Sequence, residues 1–325
     1  MADGNDNYGT REKHQMQNKL LITGATGLLG ANFVHTALAS GWAPVGVALP
    51  CRVPQAPAPM HELDLRDTAA VAGLLDRVQP AMVVHLAALT NVDWCEDHAA
   101  DAMVLNAEVS GKLAGLAAQR DIRFIYMSTD SVFDGARGGY TEADQPHPLN
   151  VYAASKLAGE QRVLQSHPAA LVVRSNIFGW NAQPKANLAE WILAKLRAGE
   201  PVPGFTDVVF APLLVTVLAR LMLDLAASGA SGVWHLASAQ AVSKYDFACA
   251  LARAFALPVE QVQAVVSATV EQRAPRPLST WLNGAAAARR LGRPQPTLAE
   301  LLREFCEQET GGYTKSLRTS MGEQI

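Results

Sequence analysis

The chain has 325 residues, 49% of them hydrophobic, and a formal net charge of -3. That length holds ample core for one large domain or two closely joined ones. Near-neutral charge and 6% aromatic content exclude the basic, aromatic-interleaved face of a nucleic-acid binder. Residues 1–18 are polar, lack the apolar stretch of a signal peptide and read as a flexible tail. Residues 19–23 form a short apolar run that predicts a buried parallel strand. Helical apolar spacing follows over 28–40 and stops at Gly41. Strands are expected over 44–49, 60–65, 82–86, 123–128 and 170–174. Helices are expected over 69–77, 101–119 and 152–165.

Strand and helix alternate throughout this first half, which predicts a doubly wound, mostly parallel α/β sheet of the Rossmann type. Beyond Arg174 the rhythm changes. Helices over 187–198, 213–225, 243–255 and 298–305 are separated by an irregular stretch (201–212), a strand (232–236) and a Pro- and Arg-rich loop (272–283). The expected organisation is a dinucleotide-binding domain over 19–175 with a return segment near 208–236. A smaller C-terminal α/β substrate domain takes 176–207 and 237–308, and 309–325 form a second flexible tail. The longest apolar stretch, 208–225, is interrupted by Pro212, Arg220 and Asp224, so no membrane span is expected. Cys51, Cys95, Cys249 and Cys306 lack metal-type spacing, so no metal site is read and a reducing, cytoplasmic setting is expected.

Thr23-Gly24-Ala25-Thr26-Gly27-Leu28-Leu29-Gly30 sits where a strand becomes a helix. Glycines there permit a tight turn and let backbone approach a pyrophosphate, which the helix N-terminus attracts. The second strand ends in Val47-Ala48-Leu49 without the acid that holds an NAD ribose, and Arg52 follows. An arginine there suits a 2′-phosphate, so NADP(H) is favoured, with NAD(H) the alternative. Tyr152 and Lys156 stand four apart at the start of a helix and share one face. A nearby ammonium is expected to lower the phenol pKa and make Tyr152 a workable proton donor to a carbonyl. The hydroxyl of Thr129, at the end of a strand, is placed to bind the same oxygen. His85, within a strand, reads as a core histidine.

The order Thr-Gly-x-x-Gly-x-x-Gly, Ser128-Thr129, then Tyr152-x-x-x-Lys156 resembles the extended short-chain dehydrogenases. The stretches Ser128-Thr129-Asp130-Ser131-Val132-Phe133-Asp134-Gly135 and Pro148-Leu149-Asn150-Val151-Tyr152 narrow this to similarity with the dTDP-4-dehydrorhamnose reductases. So do Lys156-Leu157-Ala158-Gly159-Glu160 and Arg276-Pro277. The resemblance implies that Thr129, Tyr152 and Lys156 are catalytic. It implies that Gly24, Thr26, Gly27, Leu28 and Leu29 line the pyrophosphate, Asp64 and Leu65 the adenine, and Ala87, Ala88 and Thr90 the ribose and nicotinamide. Asn106 would support the site, and Val92, Asp93, Asp130, Ser131, Asn176 and Arg276 would face the substrate. Trp94, Ser131 and Ile177 depart from the family's Lys, Tyr and Trp, which leaves the sugar open. The segment from Trp234 to Ala248 is also similar to the regulatory β subunit of methionine adenosyltransferase. The expected function is therefore an NADPH-dependent reductase of a nucleotide-linked 4-keto sugar. The alternatives are an epimerase of the same fold and a non-catalytic NADP-binding regulatory subunit. A nucleotide sugar is the expected partner, and a homodimer stays open because helix faces used in dimers read like core faces.

Overall fold

The computed structural model describes residues 18–49, 56–269 and 273–320. Arg52, expected near a 2′-phosphate, lies outside them. Seven parallel strands form the central sheet: β1 (Lys19–Thr23), β2 (Ala43–Ala48), β3 (Met60–Glu62), β4 (Met82–His85), β5 (Arg123–Met127), β6 (Leu171–Arg174) and β11 (Gly232–His235). Their order is β11-β6-β5-β4-β1-β2-β3, all parallel. The order reverses between β1 and β4, and open sheets of this kind bind ligands at that reversal.

Helices cover both faces. Strand side chains alternate, so Leu20, Ile22 and Val84 pack on one side with Phe33 of α1 (Leu28–Ala39). Leu21, Val83 and Tyr126 face the other way, against Leu74 of α2 (Thr68–Val78). Asp67 caps α2 by accepting from Ala70 N, and Gln79 ends it in a left-handed conformation before Pro80. Next come two short helices, α3 (Val92–Asp97) and α4 (Ala99–Met103), then a π-helical segment (Val104–Val109) that runs into α5 (Ser110–Ala118). The sequence pattern predicts a single helix over 101–119 and no element over 92–97. Asn91 accounts for α3, because its side chain accepts from Trp94 N and starts a turn that apolar spacing does not signal.

The helix α6 (Val151–Ser166) lies beside α5. Then β7 (Ile177–Phe178) pairs with β10 (Leu213–Leu214), and α7 (Leu188–Arg197) is started by a capping box of Asn187 and Glu190. The stretch read as irregular, 201–212, carries β8 (Val202–Phe205) and β9 (Val209–Phe210). Of the segment 208–236, α8 (Val215–Ala227) and β11 lie on the parallel sheet, whereas β9 pairs with β12 (Val242–Ser243). After α9 (Lys244–Ala254), β13 (Val262–Val265) pairs with β8. Helices α10 (Ala285–Leu291), α11 (Leu298–Thr310) and α12 (Tyr313–Ser320) end the described chain.

The expected tail from 309 onward is corrected through residue 320. Within α12, Leu317 is fully buried, and Tyr313 donates to Asn32 Oδ1 at 2.8 Å on α1. The segment is polar on average, but its few apolar residues fall on one face, which docks it. Among the described residues no helix is long and apolar enough to cross a membrane.

Candidate active site

The glycine loop joins β1 to α1. Gly24 has φ +66°, and a Cβ there would stand 2.8 Å from Ala87 N. A Cβ on Gly30 would lie 2.0 Å from Gly24 O, so helix and loop meet this closely only because residue 30 is glycine. Gly27 is the N-cap of α1, with no capping side chain and no acid in the first turn. The N–H groups and positive dipole end there are uncompensated by the chain and suit an anion. Gln183, from the loop before α7, donates to Thr26 O at 2.9 Å and pins the turn.

This loop forms one end of a cleft of about 820 Å³. Gly24, Thr26, Gly27, Leu28, Leu29, Asp64, Leu65, Ala87, Ala88 and Thr90 line it, as do Thr129, Asp130, Ser131, Tyr152, Lys156 and Asn176. The residues that depart from the family, Trp94, Ser131 and Ile177, line it too. Val92, Asp93, Asn106 and Arg276 are not in the lining. Asp64 is engaged at the rim by Arg66, at 2.6 Å, an interaction that lowers its carboxyl pKa.

Tyr152 stands in the first turn of α6. Asn150 caps that helix by accepting from Ala153 N at 2.9 Å, and Glu96 of α3 accepts from Val151 N at 2.8 Å. Lys156, one turn on, is 3% exposed, with Nζ 4.0 Å from the Tyr126 ring centroid. Burial pulls the Lys156 pKa down to about 7, with Glu160 opposing. Burial pushes the Tyr152 phenol up to about 12, and the hydrogen bond with Thr129 opposes that rise. The expected lowering of the phenol is thus corrected: burial dominates and raises its pKa.

Asn106 sits behind the lining, fully buried in the π segment. Its Oδ1 accepts from Leu89 N at 2.8 Å, and its Nδ2 donates to Leu89 O at 3.0 Å and Ser155 Oγ at 2.9 Å. Ser155 in turn donates to Tyr152 O at 2.7 Å. The widened π turn presents the Asn106 carbonyl to Tyr126 Oη and Ser110 Oγ, each at 2.9 Å. Ser110 also meets His85 Nε2 at 2.9 Å, and Thr23 Oγ1 meets His85 Nδ1 at 2.7 Å. Thr23 Oγ1 accepts from Leu86 N and Ala87 N, so its proton goes to Nδ1 and the ring donates from Nε2. Burial drives the His85 pKa down to about 3. His85 is a neutral tie between glycine loop and π segment, buried in the core.

At the other end, buried Asp130 accepts from Thr280 Oγ1 at 2.6 Å, Asn176 Nδ2 at 3.0 Å, Thr129 Oγ1 at 3.2 Å and Ser131 Oγ at 3.3 Å. Burial raises its pKa and those bonds oppose the rise. Arg276 pairs with Asp93 at 2.7 Å, and Asn150 Nδ2 donates to Pro275 O at 3.0 Å. The segment that carries Arg276 and Thr280 is therefore held against α3 and the start of α6.

A family model for the RmlD substrate binding domain matches residues 18–310. The chain belongs to this family. It is 36% identical, over 86% of its length and 94% of the relative's, to the probable low-salt glycan biosynthesis reductase of Haloferax volcanii. It is 32% identical to methionine adenosyltransferase 2 subunit beta of Bos taurus, over 78% of this chain and 76% of the relative. Among solved structures it is similar to the dTDP-4-dehydrorhamnose reductase of Bacillus anthracis in complex with NADP. The TM-score is 0.80 and identity 26%, over 89% of this chain and 98% of that one.

In this RmlD-family chain the structure adds residues that motif reading missed. Gln183 lines the cleft and Thr280 bonds the lining Asp130 from behind, each from a segment far along the chain with no local signal. Lys244 of α9 lies within electrostatic range of both Asp130 and Arg276, and burial lowers its pKa. Asn91, as the cap of α3, was open to recognition from its residue type.

Proposed function

We propose that the chain is an NADPH-dependent reductase of a nucleotide-linked 4-keto sugar. The observation that carries this reading is one cleft holding the glycine loop at one end and Thr129, Tyr152 and Lys156 further in. The cradle at Gly24, Gly27 and Gly30 suits a dinucleotide pyrophosphate, because a Cβ would fill it and no acid opposes an anion. NADP is favoured over NAD by the absence of a carboxylate at the end of β2 and by the NADP-bound relative.

When bound, the nicotinamide supplies the hydride. The chain's own groups supply position and the proton. Tyr152, protonated at neutral pH, donates its phenolic proton to the carbonyl oxygen. Thr129 orients the phenol through their shared hydrogen bond. Lys156 binds the ribose hydroxyls and, while charged, stabilises the phenolate that proton transfer leaves. Burial raises the phenol pKa, so Tyr152 holds its proton until the transfer step.

A partner-subunit role is the second reading, favoured by the identity to methionine adenosyltransferase 2 subunit beta. One experiment separates the readings. NADPH loss is followed with dTDP-, UDP- and GDP-linked 4-keto sugars. One equivalent of NADPH consumed per sugar reduced supports the reductase. Sugar isomerised without net NADPH loss indicates an epimerase. No reaction with any of them, together with co-purification of a synthetase, indicates the subunit.

A further inference from the structure

Lys156, its pKa drawn down to about 7 by burial, sits in a wall of uncharged groups. His85 of β4 is held neutral, Tyr126 of β5 lies 4.0 Å below Nζ, and Tyr152 of its own helix keeps its proton. Among the described residues, the carboxylate whose charge acts on Lys156 is Glu160. It stands four residues on, on the same helix face, and is 2% exposed.

That carboxylate is fixed from outside the helix. Arg174 of β6 donates to it twice, from Nε at 2.8 Å and Nη2 at 2.6 Å, and the Ser128 hydroxyl makes a further short bond to Oε1. Arg174 is itself braced. Its guanidinium stands 5.2 Å from the Phe133 ring centroid, and Nη1 lies 3.4 Å from His235 Nε2. The other His235 nitrogen, Nδ1, donates to Tyr140 O at 2.9 Å. A buried Arg–Glu pair is weak evidence for stability, because matched apolar residues often serve as well. Its placement here, one turn behind a buried lysine in the cleft wall, gives it another use.

We infer that Glu160, held by Arg174, is a positioning residue that sets the charge on Lys156. This rests on the proposed role of Lys156 in the cleft. Replacing the carboxylate by an amide removes the balancing anion and leaves the buried Arg174 guanidinium without its carboxylate partner. The amine then loses its proton at lower pH, and its hold on the cofactor ribose weakens there.

The test is NADPH affinity as a function of pH, read by NADPH fluorescence, for wild type, Lys156→Met, Glu160→Gln and the double variant Glu160→Gln/Arg174→Met. The double variant carries no unpaired buried charge, so it remains measurable if the single variant fails to fold. In wild type, affinity weakens as pH rises through the titration of Lys156, and that inflection is absent in Lys156→Met. In Glu160→Gln it moves to lower pH by about one unit, a roughly tenfold change in the proton affinity of the amine. In the double variant it moves the same way by less. An inflection that persists in Lys156→Met overturns the assignment of Lys156 and this inference with it. An inflection that vanishes there but keeps its wild-type position in both Glu160 variants overturns this inference alone.

Discussion

The two ends of the cleft are built differently. The end proposed to hold the cofactor comes from consecutive strand–loop–helix units: β1 with the glycine turn and α1, then the loops after β3 and β4. The end proposed to face the substrate is braced by segments far apart in the chain. Thr280 reaches Asp130 across 150 positions, and Arg276 reaches Asp93 across 183. The first end relies on close backbone approach and tolerates little change. The second rests on side-chain bonds between segments, many near the surface, and has room to vary.

The sharpest way to break that contrast is Gly30→Ala. The added Cβ would meet Gly24 O at 2.0 Å, a backbone atom that cannot swing aside. Denaturant unfolding should show a loss of about 3 kcal/mol, and NADPH titration a loss of at least about tenfold in affinity. A variant with wild-type stability and affinity would mean that the loop is not the rigid end.

Acid comes next, because it strikes both regions. Burial holds His85 near pKa 3 and His235 near 4, against 6.5 when exposed. Between those values the unfolded chain binds protons that the folded one does not, so stability is lost as pH falls below about 6.5. Two such histidines cost up to about 2.7 kcal/mol per pH unit. The His85→Gln variant should show a shallower fall in Tm between pH 6.5 and 5 than wild type; an equal slope would remove His85 from the account.

Thr280→Val removes the shortest hydrogen bond to buried Asp130 and should cost about 1–2 kcal/mol. It should also slow turnover more than it weakens NADPH binding, because it acts at the substrate end only. The smallest effect is expected for Arg276→Gln. Its ion pair with Asp93 is 40% and 42% exposed, so stability should change by less than about 1 kcal/mol while KM for the sugar nucleotide rises. A large loss of stability there would show that the substrate end is as tightly built as the cofactor end.

The same division explains what could be read beforehand. The strand at 19–23, the glycine turn and the Tyr152–Lys156 pair are local patterns whose period and spacing carry their meaning. The π segment was not legible, because its widened turn follows from how Asn106, Tyr126 and Ser110 meet across three elements. Nor was the docking of α12, whose polar composition resembles a tail until Leu317 and Tyr313 find α1. The direction of the Tyr152 shift differs from the expectation for a related reason: spacing shows a lysine four residues on but not the burial of the phenol, which raises its pKa.

The most direct test of the central claim is Tyr152→Phe, assayed for NADPH consumption with a nucleotide-linked 4-keto sugar that wild type reduces. The phenyl ring keeps the packing and removes only the proton donor. The account predicts turnover reduced by about 10²–10⁴-fold, with NADPH affinity within about twofold of wild type. Turnover retained within a few-fold of wild type would contradict it.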